Sequence, residues 1–109
     1  VKPPKTIKVC GVIYNLDYKS EDFFTTQGCY GACCSKSRVI SIWDGARSLD
    51  IGDILIHEIL HACNDFAAID DQSSEEDFAR RTGSTLWTVL FVDNPKLLRY
   101  LSWLGKQPY

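Results

Sequence analysis

The chain has 109 residues, a net charge of −2, 45% hydrophobic and 24% charged residues, proportions that fit one globular core over residues 1–109 and exclude a disordered chain. Its Lys and Arg residues are scattered singly or in pairs, so no field gathers nucleic acid, and no apolar run approaches the length of a membrane span. Five cysteines cannot all pair internally, which argues against a secreted disulfide framework and for a reducing compartment.

The first residues, Val1-Lys2-Pro3-Pro4-Lys5, lack the apolar stretch of a secretion signal. There is no Met, so either the initiator has been removed or these residues belong to a longer product. Residues 6–14 are rich in β-branched and aromatic side chains, with Ile7, Val9 and Ile13 on one face at period two, and are expected to form a strand. Turn residues fill 25–31, which pair weakly with that strand at most. Cys29, Cys33 and Cys34 cluster here; three thiols would still need a fourth ligand to hold a metal, no CxxC pair occurs, and buried free thiols are the simpler expectation. A second strand covers residues 38–43, Arg38-Val39-Ile40-Ser41-Ile42-Trp43, and Asp44-Gly45 ends it with a turn.

From Leu49 to Cys63 the apolar residues Ile51, Ile54, Leu55, Ile59, Leu60 and Ala62 recur at helical spacing, with Ser48 or Asp50 placed to cap the start. A polar stretch over 70–74 leads into a second helix over 75–92, which Asp93-Asn94-Pro95 stops. A short third helix over 96–104 ends at Gly105. Trp87 and Trp103 are expected in the core. These elements predict an α+β domain, a small antiparallel sheet packed against two long helices and a short C-terminal one.

The first long helix carries His57-Glu58-Ile59-Leu60-His61. Residues four apart share a helix face, so both imidazoles can reach one ion, and Glu58 stands beside them to hold a water. Shuffling a chain with two histidines yields this HExxH pattern on the order of once in a thousand trials. The bland alternative is an amphipathic helix whose polar face happens to carry these residues. However, Ile54, Leu55 and Ile56 run unbroken into His57, and a helix apolar nearly all round places its polar groups where exposure alone would not. A catalytic zinc takes three protein ligands and leaves a position for water. With no third histidine, the third ligand must be a carboxylate, and the downstream candidates are Asp65, Asp70, Asp71, Glu75, Glu76 and Asp77. Asp65 is on the same face as His61, but its short arm leaves from one turn further along.

The pattern resembles the gluzincin-type metallopeptidases, in which HExxH is followed on the next helix by a ligating Glu with small residues three and seven positions later. That resemblance implies Glu76 as the third ligand, since Ala79 and Gly83 follow it at those positions, whereas Glu75 is followed by Phe78 and Thr82. A rival role for Glu76 is the capping box Ser73-Ser74-Glu75-Glu76; the cap can instead be Ser74 with Asp77. Where many gluzincins place an Asp four residues after the ligand, this chain has Arg80. The likeness is closest over residues 38–92. It extends to the short phage and bacterial ImmA/IrrE-like members, and implies a minimal zincin-like fold, one Zn2+ per chain and a cytoplasmic setting in a bacterial or phage-infected cell.

The function expected on this reading is zinc-dependent hydrolysis of a peptide bond, with His57, His61 and Glu76 on the metal and Glu58 as general base. Tyr30, Tyr100, Tyr109 and Arg80 are the candidate donors to the oxyanion. An extended peptide or protein substrate is expected along the strand Arg38-Trp43, which precedes the active helix; neither nucleic acid nor a membrane is expected as a partner. The alternative is a catalytically silent, zinc-stabilised binding or regulatory module of the same fold, against which Glu58 counts, because a structural site needs no base.

Overall fold

A computed structural model describes residues 2–25, 30–68 and 74–108. Strand β1 (Thr6–Val9) turns through Cys10 and Gly11 into β2 (Val12–Lys19), followed by a short helix α1 (Glu21–Thr25), the strands β3 (Gly31–Cys34) and β4 (Val39–Trp43), and the helix α2 (Ser48–Phe66). Helix α3 (Glu75–Trp87) runs into a π-helical segment (Thr88–Asp93) and then α4 (Pro95–Leu104). The chain is thus α+β, with four strands in the order β1-β2-β4-β3. No helix among the described residues is long and apolar enough to cross a membrane.

The sheet is mixed, not antiparallel as expected. β1 pairs antiparallel with β2, and β3 with β4, but β2 and β4 run parallel. β2 and β4 can run parallel because β3, antiparallel to β4, carries the chain back across the sheet between them, as parallel neighbours require. The strand expected over 6–14 is itself a hairpin. Cys10 and Gly11 both have positive φ, 50° and 85°, and close the Val9↔Val12 pair as a two-residue turn whose twist matches the strands. The turn breaks the period-two pattern: Ile7 and Val9 are buried, Ile13 is exposed, and Tyr14 and Leu16 take the inward positions.

One face of the sheet packs against the helices. Ile7, Val9, Tyr14, Leu16, Ile40 and Ile42 meet Leu55, Ile59, Ala62 and Cys63 of α2, Val89 of the π segment, and Leu97, Tyr100 and Leu104 of α4 in one core. α2 starts after Arg47, whose guanidinium pairs with Asp50 at 3.0 Å; neither Ser48 nor Asp50 is its N-cap residue. At the start of α3, Ser74 is the N-cap and its hydroxyl accepts a hydrogen bond from the Asp77 amide at 3.1 Å. The Thr82 hydroxyl donates to Asn64 Oδ1 at 3.1 Å and ties α3 to α2. Trp103 packs against the core, whereas Trp87 is 60% exposed and stacks on Phe91, which is exposed as well.

Candidate metal centre

The middle of α2 crosses behind the edge strand β3, and the cleft between them holds His57, Glu58 and His61. Each helical turn returns one residue to this side. Ile59 and Ala62 fall on the sheet-facing side and are buried, while the two imidazoles stand exposed in the cleft. His57 Nε2 and His61 Nε2 lie 3.2 Å apart. Two nitrogens bound to one tetrahedral ion at zinc–imidazole distances lie about 3.3 Å from each other, so this spacing, which a hydrogen bond between the rings also gives, is one a shared ion can take over. Together with Glu58 these form a group of ligand atoms within 4.8 Å of one another.

Glu58 differs from its neighbours in burial. It is 5% exposed, with Oε1 3.9 Å from His57 Nε2. Burial pushes its carboxyl above the ordinary carboxylate range, and the two histidines pull partly in the other direction. The cover is Gly31 of β3. A Cβ there would sit 2.6 Å from Ile54 Cγ2, 3.2 Å from Glu58 Cγ and 3.4 Å from Glu58 Oε1, so only glycine lets the strand lie this close to the carboxylate.

The cleft, with a volume of about 500 Å³, is walled by β3 and the following turn on one side and by α2, as far as Asp65, on the other. Gly31, Cys33 and Ser35 join this wall without a motif in the sequence to mark them for it. Gly31 and Cys33 carry no local signal, since what selects them lies across the fold. Cys33 faces the cleft and its thiol is pushed up to about 11, by burial first and then by the carboxylates of Glu58 and Asp65. Its neighbour Cys34 is exposed on the opposite side of the strand, so alternation keeps these two thiols from gripping one ion. Cys29, Asp70, Asp71, Ser73 and Tyr109, and the side chain of Glu75, lie outside the described residues.

Glu76 is exposed in the first turn of α3 and does not join the group formed by His57, Glu58 and His61. The Ser74–Asp77 cap leaves its carboxylate free of a capping role. Three of the candidate oxyanion donors are described, and none lines the cleft. Tyr100 is a core residue stacked on Trp103, Tyr30 stacks on Trp43, and Arg80 pairs with Asp77 at 2.9 Å. The strand expected to receive substrate also needs correction. β4 is flanked on both sides by β2 and β3, so its backbone groups are already paired, and the free edge beside the histidines belongs to β3. The Trp43 amide donates to Tyr30 O at 3.0 Å; by antiparallel alternation the N–H and C=O groups of Gly31 and Cys33 then point outward from the sheet.

No protein-family model, curated protein or solved structure matches the chain.

Proposed function

We propose that the chain is a zinc-dependent peptide hydrolase of minimal zincin-like build. The observation that carries this reading is the pairing of two exposed imidazoles at ion-sharing distance with one buried carboxylate. His57 and His61 are the metal ligands contributed by α2, and Glu76 is assigned as the third. Zinc bound there supplies a Lewis acid that brings the pKa of a water toward neutrality. Glu58 takes the proton of the attacking water and delivers it to the leaving amine. A carboxyl shielded by Gly31 and shifted upward by burial is suited to both halves of that transfer. The outward backbone groups of Gly31 and Cys33 hold an extended substrate as an added strand, which lays its peptide bonds along the cleft.

A buried base beside the two histidines also favours hydrolysis over a silent zinc-stabilised module, where that carboxylate would cost burial without return. Zinc titration of the purified chain is expected to show one site, weakened in Glu76→Gln by more than the roughly 10- to 100-fold that loss of a supporting hydrogen bond costs. Glu58→Gln is expected to keep the metal and the fold while peptide turnover falls by about 10²- to 10⁴-fold. Turnover unchanged in Glu58→Gln removes the assigned base. Zinc uptake with no cleavage of any peptide in a broad library leaves the binding module.

A further inference from the structure

We infer that Asp65 makes the cleft selective for peptides carrying a cationic side chain, Lys or Arg, beside the bond that lies over His57 and His61. The inference rests on the peptide-binding reading of the site. Asp65 is on the cleft wall with His57, Glu58 and His61, one turn beyond His61 and therefore about 6 Å further along α2. It is exposed, and its carboxylate has no hydrogen-bond or ion-pair partner among the described residues. Glu58, the other carboxylate on this wall, is buried under Gly31 and held beside the histidines. Among the described residues of the wall, Asp65 is thus the one solvent-facing carboxylate available to a substrate side chain.

The surroundings decide where that side chain goes. Asp65 and Ser35 are shared with a neighbouring well of about 160 Å³ whose walls include Val9, Val12 and Phe66. Arg38 lines the well but not the cleft. A cation descending the well meets Arg38, while one that stays on the cleft side keeps the Asp65 carboxylate without Arg38. An acidic side chain at the same place meets Asp65 directly, and like charges disfavour it. A Lys or Arg stem can cover the apolar wall as its head stays at Asp65.

The test needs neither metal nor turnover. Glu58→Gln protein without zinc is titrated calorimetrically, at low ionic strength, with short blocked alanine-rich peptides that differ at one central position, Lys or Glu. The Lys peptide is expected to bind about three- to tenfold more tightly, the range of an exposed ion pair helped by low salt. Asp65→Asn in the same background should cancel the difference, and Asp65→Lys should invert it. Asp53→Lys, the same change at an exposed position of α2 outside the cleft, should leave it intact. Equal affinities, no binding of either peptide, or a preference that survives Asp65→Lys overturns the inference. Binding with the stated preference but no cleavage by the zinc-loaded wild type sinks the hydrolytic reading instead, and cleavage without preference sinks only this one.

Discussion

Gly31 is the residue whose replacement should tell most about the site. Its missing side chain leaves room for Ile54 Cγ2 and Glu58, and a methyl placed 2.6 Å from Cγ2 must push a branched side chain that has little freedom on a helix. Gly31→Ala is expected to cost about 1–3 kcal/mol. Adding Ile54→Ala should recover part of that, giving a coupling in a double-mutant denaturation cycle that independent sites do not show. The thiols offer a second residue-level check. Hydrogen bonds to Ser37 hold Cys34 below the ordinary thiol range, whereas burial raises Cys10, Cys33 and Cys63. At near-neutral pH, Cys34 should therefore be alkylated first among these four, read by peptide mass spectrometry; earlier modification of Cys33 contradicts the assignment of faces on β3. At this scale the sequence announced His57, Glu58 and His61 because their relation is local, a five-residue stretch of one helix. Gly31 was silent, since the two side chains that require it belong to an element far along the chain.

Among the elements, helices were the more legible. The apolar period located α2 and α4 and the start of α3, since the pattern is repeated over several turns and the Asp93-Asn94-Pro95 punctuation is strong. The sheet was legible only as strands. Nothing within residues 6–14 except Gly11 hinted at a hairpin, and the parallel pairing of β2 with β4 depends on how two distant segments meet. The reading of Asn94 as a stop signal captured half of its work. Its side-chain oxygen accepts from the Lys8 amide at 2.8 Å, and its amide nitrogen donates to Lys8 O at 2.7 Å and Val89 O at 2.8 Å. The side chain thus pairs with β1 as a peptide group would. Asn94→Ala should destabilise the chain by about 2–4 kcal/mol, since three hydrogen bonds at roughly 1 kcal/mol each are lost and the strand's groups must find water. Equilibrium denaturation checks this, and a loss near zero would mean that solvent replaces Asn94 without penalty.

At the scale of the whole molecule, the sheet has two edges, treated in opposite ways. On β1 the outward backbone groups of Lys8 are paired by Asn94, at the end of the π segment. β3 keeps the outward groups of Gly31 and Cys33 unpaired within the sheet, beside the histidines. An open edge does not distinguish a passing peptide from another copy of the same protein, and edge strands are natural seeds of self-association. Here the opening is four residues long and its outer register offers the backbone of only two of them, enough to align a short segment and too little to template a growing stack. Keeping an open edge short is one way proteins blunt it, and on the proposed reading the brevity of β3 leaves room for a short guest strand and little for a second copy.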